Sequence, residues 1–411
     1  MTTESVDVAV VGGGPAGALT AMLLARAGRE VMVVERAPRW RWRACGVFAS
    51  PAAVAALRSI GIPERDLTRV ARPVPAMHVL SAGGTSFRLT YAGSGALEDS
   101  SVGFDRSALD PLLLELAEAS GASVRVGATA ERLRLERERA RIDVTGNDPF
   151  DVVARVAVGA DGLRSRVAAA AGVVRRPPLG ARAALTFHVP EDGGGEAPTR
   201  APAEGGRDAR MVVFDDGYVG LAPVPGGRVN VGIVLGRSWF SRLRRSGGWP
   251  VAREILASLP LPEDAALAGH EPLDSVAGVT PLGQSVSRRA GDSWLLVGDA
   301  AGFLDPFTGE GLHRAIASAT LAAESIDAVL AGRPGAGLAA YERGMRSRFG
   351  TKDVVSRIVQ GFLARPALFE YAARRLAARS GVRETMGLVI GDLAPARRAL
   401  DPRYLTRLLA P

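Results

Sequence analysis

Residues 297–315 read VGDAAGFLDPFTGEGLHRA, four glycines and Pro306 in a segment that opens like a buried strand and closes like a helix. Glycines let a backbone approach a ligand closely, and the carboxylate of Asp299 adds an acceptor that a main-chain N–H cannot supply. A second stretch of this kind opens the chain, VDVAVVGGGPAGALTAMLLARAGREVMVVER. It runs as a β-branched segment, a glycine turn, a helix with Ala and Leu at helical spacing, and a second strand ending in Glu35. Gly12, Gly14 and Gly17 complete G-x-G-x-x-G between strand and helix, and Glu35 stands where an acidic residue reaches a ribose hydroxyl. The chemistry is dinucleotide binding, with a pyrophosphate at the positive end of a helix.

The elements that position these residues follow from the rest of the chain. A length of 411 residues supports a well-buried core and two or three domains. With 47% hydrophobic and 23% charged residues the chain is that of a globular protein. Its net charge of +8 does not read as nucleic-acid binding. Lys352 is the only lysine, Arg and Glu interleave in ERLRLERERARID (131–143) as on a solvated strand pair, and no basic run carries interleaved aromatics. The densest basic cluster, RAPRWRWRAC (36–45), is either a solvated loop or an attractor of phosphates, with Arg36 beside Glu35 as its candidate ligand. The lone Cys45 excludes an internal disulfide and a cysteine-built zinc site, so no metal is expected and a reducing compartment fits. The first apolar run is too short to span a bilayer and lacks a basic n-region, which leads us to expect a cytoplasmic protein. Contact of the C-terminal region with a membrane surface stays open.

Three further blocks alternate strand and helix and extend the sheet begun at the N-terminus: 104–133, where Ser107 is the expected N-cap and Gly121 the stop, 154–172, and 292–330. Between them 75–91, 181–191 and 209–236 alternate apolar and polar residues and turn on Gly-Gly or Pro-Gly-Gly, the pattern of antiparallel strands. The stretch 190–209 reads as a mobile loop, and from about Phe349 onward the chain reads as helix. The expected fold is α/β: a Rossmann-like domain with a mostly parallel sheet, an inserted antiparallel β-sheet substrate domain, and C-terminal helices. The expected divisions are 1–74, 100–180 and 275–345 for the dinucleotide domain, 75–99 and 181–274 for the substrate domain, and 346–411 for the helical region.

The combination of G-x-G-x-x-G with Glu35, GADG at 159–162 and GDAAGFLDPFTGEG at 298–311 resembles the FAD-dependent enzymes related to para-hydroxybenzoate hydroxylase. Within them it is most similar to the geranylgeranyl-reductase-like branch. Gly302 stands where the aromatic hydroxylases commonly have His, the Thr-Gly-Glu-Gly turn follows, and Cys45-Gly46 matches that branch's Cys-Gly. The resemblance implies that Asp299 accepts a ribityl hydroxyl of FAD and that Pro306, Gly309 and Gly311 lie beside the flavin ring. It implies that Arg106 contacts FAD and that Asp161 and Gly162 approach the pyrophosphate; for Asp161, capping its own following helix is the alternative. It also implies NADPH or NADH as reductant. The branch continues with glycines after Cys-Gly, whereas this chain has Val47 and Phe48, a change that reshapes the pocket.

Other polar residues have ordinary explanations beside functional ones. His78 and His188 lie on alternating strands as satisfied histidines, and His313 follows the flavin turn, where structural and functional roles both fit. Trp40 and Trp42 either line a pocket or form an Arg-stacked pair, and Cys45 is either a pocket residue of catalytic importance or a small buried side chain. Two reactions share this cofactor site: reduction of a carbon–carbon double bond in a small apolar substrate, isoprenoid or polyketide-like, which the third motif and Cys45 favour, and hydroxylation of an aromatic or polyketide substrate with oxygen. A non-catalytic flavin-binding partner protein is the third reading. Halogenation is not expected, because Lys352 lies outside the strands that should line the pocket and the WRW at 40–42 is in the wrong context.

Overall fold

In a computed structural model of the chain, residues 2–40, 42, 46–91, 100–177, 181–191, 207–334 and 336–410 are described. The central strand Thr2–Val11 pairs in parallel with Val31–Glu35 on one side and Phe150–Gly159 on the other. Val31–Glu35 in turn pairs with Ser123–Val126, and Trp294–Leu296 pairs with the last residues of Phe150–Gly159, extending the parallel order to five strands. The first half of Phe150–Gly159 instead carries the antiparallel hairpin Ala128–Leu135 and Ala140–Gly146, whose exposed Arg and Glu side chains are the interleaved charges of the sequence.

Strands buried on both faces read as continuous apolar runs, and the period of two divides them between two cores. Val8 and Val10 pack with Leu19, Met22, Leu113 and Ile316, which come from helices Pro15–Arg26, Arg106–Ala119 and Gly311–Leu330. Ala9 and Val11 face the hairpin and Trp294 on the opposite side. The N-cap of Arg106–Ala119 is Asp105, not Ser107: the Asp105 carboxylate accepts from Ser107 N at 3.0 Å, so the helix starts earlier than expected. Gly121 follows that helix at φ +105°, in the left-handed region that favours glycine.

The second sheet runs in the order Ala277–Val279, Ala183–Pro190, Arg228–Leu235, Gly217–Val224, Ala209–Phe214, Ala76–Leu80, Ser86–Thr90. It is antiparallel save for one pair, Ala209–Phe214 with Ala76–Leu80, which is parallel because the chain crosses the molecule between them. One face is covered by the helix Gly248–Ala257. The other carries Met77, Val79, Leu89, Met211 and Tyr218 and meets the 303–307 segment and the C-terminal helices. Ala277–Val279 lies in this second sheet, and the helix Ala339–Leu363 runs unbroken through 345–346. Most of the 190–209 segment falls outside the described residues.

Candidate active site

The first strand delivers the chain to Gly12, whose φ is +106°. A Cβ there would stand 2.5 Å from the Ala160 carbonyl oxygen, and a Cβ at Gly17 would stand 2.0 Å from the Gly12 carbonyl, so neither position admits a side chain. Gly14 is the helix N-cap, with no side chain capping it and open space where a Cβ would be. The first N–H groups of the helix therefore face outward, at the positive end of its dipole. The Glu35 carboxylate accepts from Gly13 N (2.8 Å) and Ala37 N (2.9 Å), tying the glycine turn to the end of the second strand. Arg36, the next residue, is exposed.

The third motif reaches this same place from the other end of the chain. Val297 N donates to Gly159 O and Gly298 N to Ser318 Oγ, both at 2.9 Å, and Gly298 (φ +57°) packs against Ala16. Asp299 follows. Among the described residues its carboxyl has no hydrogen-bond partner, and burial pushes its pKa up to about 6 against the opposing pull of Arg106 and Arg314. The Arg106 guanidinium is held by Asp110 (2.6 and 2.9 Å) and donates to the Gly46 carbonyl at 2.9 Å.

The turn after Asp299 is held by a residue that sequence reasoning passed over. Asp305 accepts from Tyr218 OH (2.6 Å), Gln360 Nε2 (2.7 Å), Arg182 Nη1 (2.8 Å) and Phe307 N (2.9 Å). Its bond to Phe307 N across Pro306 is the local sign that could have marked it, since Asp before Pro starts turns. The other three partners come from the second sheet and the C-terminal helix. Pro306–Thr308 then forms a single 3-10 turn, Gly309 takes φ +67°, and Gly311 begins the twenty-residue helix. A Cβ at Gly309 would meet the Phe48 ring at 2.5 Å, so the aromatic that replaces the reductase branch's glycine lies directly over the turn. Phe48, Phe307 and Thr308 form one wall of an apolar pocket closed by Met77, Leu89 and Met211 of the second sheet.

Asp161 lies beside the glycine turn, its Cα 2.9 Å from where a Gly12 Cβ would be. Its Oδ2 accepts from Arg166 N, the first N–H of the next helix, at 2.6 Å, although that helix's N-cap is Ser165, whose Oγ accepts from Ala168 N at 3.0 Å; Oδ1 is buried with no partner among the described residues, and burial raises its pKa. Gly162 follows at φ +69°. Cys45 lies outside the described residues. Among the described residues no Arg stacks on Trp42: its indole donates to Thr186 O at 3.0 Å and packs 4.5 Å from the His188 ring, 6.1 Å from Trp40. His188 is buried and bonded to Asp274 at 2.6 Å, and His313 is buried and bonded to Asp392 at 2.8 Å. His78 is half-buried on the second sheet.

An uncapped helix N-terminus beside a side-chain-free glycine cradle, with the unpartnered Asp299 carboxyl next to it, fits a dinucleotide whose far end carries hydroxyls and a flat ring. Residues 5–355 match the family described as FAD binding domain. The menaquinone reductase of Mycobacterium tuberculosis is 28% identical over 334 residues, which cover 79% of this chain and 77% of that protein. Digeranylgeranylglycerophospholipid reductase 2 of Methanopyrus kandleri is 30% identical over 323 residues, 77% of this chain and 76% of that one. A geranylgeranyl bacteriochlorophyll reductase-like protein from Thermoplasma acidophilum superposes with a TM-score of 0.76 over 99% of both chains at 21% identity. The flavin-dependent halogenase CmlS superposes at 0.73 over 91% of this chain and 65% of its own, at 23% identity. These two likenesses speak for the fold alone. The chain belongs to the FAD binding domain family, in its geranylgeranyl-reductase-like branch. It is an FAD-dependent oxidoreductase.

Proposed function

We propose that the protein reduces a carbon–carbon double bond of an apolar, isoprenoid-type substrate, with NADH or NADPH as the source of electrons. The observation that carries this reading is the Thr-Gly-Glu-Gly turn at 308–311 with Gly302 before it, lined by Phe48, Met77, Leu89, Met211 and Phe307 around a cavity of about 20 Å³. The names of the relatives, a menaquinone reductase and a digeranylgeranylglycerophospholipid reductase, support the same substrate class. FAD, when bound, supplies the chemistry of accepting hydride from a nicotinamide and passing it to a substrate carbon.

The chain's own residues bind and orient. Gly12, Gly14 and Gly17 hold the pyrophosphate at the helix end, with Asp161 and Gly162 beside them and Arg36 adding positive charge. Glu35 accepts from a ribose hydroxyl and Asp299 from a ribityl hydroxyl. Arg106 keeps Asp299 in a positive field and holds Gly46, next to the catalytic candidate Cys45. Gly309 N donates to the Pro306 carbonyl at 3.0 Å and so closes the turn, and the N–H of Gly311 at the start of the long helix stabilises negative charge at the ring edge. The apolar wall excludes water from the turn, and its cavity of about 20 Å³ would have to widen to admit an isoprenoid chain.

Among the described residues no helix is long and apolar enough to cross a membrane. The reading assigns the enzyme to the cytoplasm, with peripheral membrane contact through its C-terminal helices as the route to an apolar substrate. Under anaerobic conditions NADPH or NADH should bleach the flavin of the loaded protein, and a polyprenyl substrate should gain two hydrogens. Failure of both nicotinamides to reduce the flavin, or a product that gains oxygen, would remove this reading.

A further inference from the structure

Behind the flavin turn lies a set of buried charges that FAD binding does not use. Lys352 is the only lysine of a chain with 51 basic residues, and it is 5% exposed. Its Nζ donates to the carbonyls of Val389 and Ile390 and to Asp392 Oδ1 at 2.8 Å, and stands 3.5 Å from Glu310 Oε1. Glu310 is the acidic residue of the Thr-Gly-Glu-Gly turn and also meets Ser356 Oγ and Arg314 Nε, both at 3.2 Å. Asp392 holds a left-handed backbone (φ +60°), and its Oδ2 takes bonds from His313 (2.8 Å) and Ser50 Oγ (3.1 Å). Arg314 shares its charge between Glu310 and Asp353, and Arg348 Nη2 lies 3.4 Å from His313 Nε2.

Two cations thus tie Glu310 of the flavin turn to carboxylates of the C-terminal region: Arg314 to Asp353, and Lys352 to Asp392, which follows the helix Ser380–Ile390. A compact ammonium points its three donors out of one plane, here to the Val389 and Ile390 carbonyls and to Asp392 Oδ1 with Glu310 beside them, an arrangement the planar guanidinium fork of arginine does not match. We propose that Lys352 is a positioning residue for the flavin: it fixes Glu310 and balances its charge, and so raises the reduction potential of FAD at the turn. The physical reason is that reduction adds negative charge to the ring system. Without Lys352, Glu310 would keep Arg314 and Asp392 would keep His313, but the cluster would be one charge more negative and would oppose reduction across a poorly screened interior. The inference rests on FAD lying against this turn and not on which substrate is reduced.

The test is the midpoint potential of the FAD-loaded variants, measured by anaerobic equilibration with a reference dye, together with their melting temperatures. Lys352→Met should lower the reduced-to-oxidised equilibrium at fixed potential by about tenfold or more, a shift of about 30 mV or more to the negative side. Lys352→Arg keeps the charge without the fit, so it should melt earlier but hold a potential near that of the unaltered protein. Glu310→Gln should move the potential to the positive side, and it decides the matter by itself if Lys352→Met fails to load FAD. Lower melting temperatures with potentials unmoved in Lys352→Met, or in Glu310→Gln alone, would reduce Lys352 to a structural clamp and overturn the proposal. Absence of FAD from the unaltered protein would instead overturn the reading of the site.

Discussion

A Cβ at Gly298 would lie 2.8 Å from the Cβ of Ala16, so the third motif is pressed against the first turn of the dinucleotide helix although the two come from opposite ends of the chain. This contact sets the distance between the pyrophosphate end of the site and Asp299. Replacing Gly298 with Ala introduces both that clash and a side chain at φ +57°, at a cost of about 1–2 kcal/mol for the backbone alone. The expected result is a lower melting temperature and weaker FAD binding, read by thermal unfolding and flavin fluorescence titration. Unchanged FAD affinity in a folded Gly298→Ala protein would separate the two motifs functionally.

Glu35→Ala should weaken FAD binding by about 1.5–3 kcal/mol, or tenfold and more, through loss of a charge-assisted acceptor. Because the same carboxylate accepts from Gly13 N and Ala37 N, the variant should also melt earlier than the unaltered protein without FAD. Titration with FAD and melting with and without it separate the two effects. Equal FAD affinity in both proteins would take Glu35 out of the site.

The Asp299 carboxyl, raised by burial to about 6, makes a prediction about pH. A raised carboxyl pKa means that the buried ionised form is unfavourable, so the FAD-free protein loses stability from this group as pH rises from about 4 through about 6. A ribityl hydroxyl donating to the carboxylate reverses that preference. FAD should therefore bind more tightly as pH rises through 6, and Asp299→Asn should flatten this dependence. A pH profile of FAD affinity with the same slope in both proteins would contradict the assignment.

The chain from Ala339 onward has fourteen basic and six acidic side chains, which accounts for the whole net charge of +8. On the helix Ala339–Leu363, Val354 (41% exposed) and Ile358 (40% exposed) share a face with the exposed Arg343 and Arg357. The expected outcome is co-sedimentation with vesicles containing phosphatidylglycerol but not with pure phosphatidylcholine, lost at high salt and weakened by Val354→Asp with Ile358→Asp. Equal recovery with both vesicle types, or with neither, would count against a membrane-facing C-terminal region.

Much of the site was legible because its signals are local. The glycine turn with its flanking strand and helix, Glu35 at the end of the second strand, and the turn from Asp299 to Gly311 each lie within a short stretch whose spacing states its geometry. Asp305 was not, because three of its four partners arrive from residues 182, 218 and 360, which only the packed second sheet and C-terminal helix bring together. The parallel pairing of Ala76–Leu80 with Ala209–Phe214 was hidden for the same reason, since alternation marks a strand but not the direction of its neighbour. Lys352 lay far from the motifs in sequence, and its nearness to the flavin turn comes from the packing of Ala339–Leu363 against the helix that the turn begins.

The central claim, reduction rather than oxygenation, is tested most directly with isotopically labelled oxygen gas. FAD-loaded protein, NAD(P)H and a polyprenyl substrate under labelled oxygen should give a product that has gained two hydrogens and no label. One labelled oxygen atom incorporated per turnover would contradict the account and assign the apolar pocket over the Pro306–Gly311 turn to a hydroxylase.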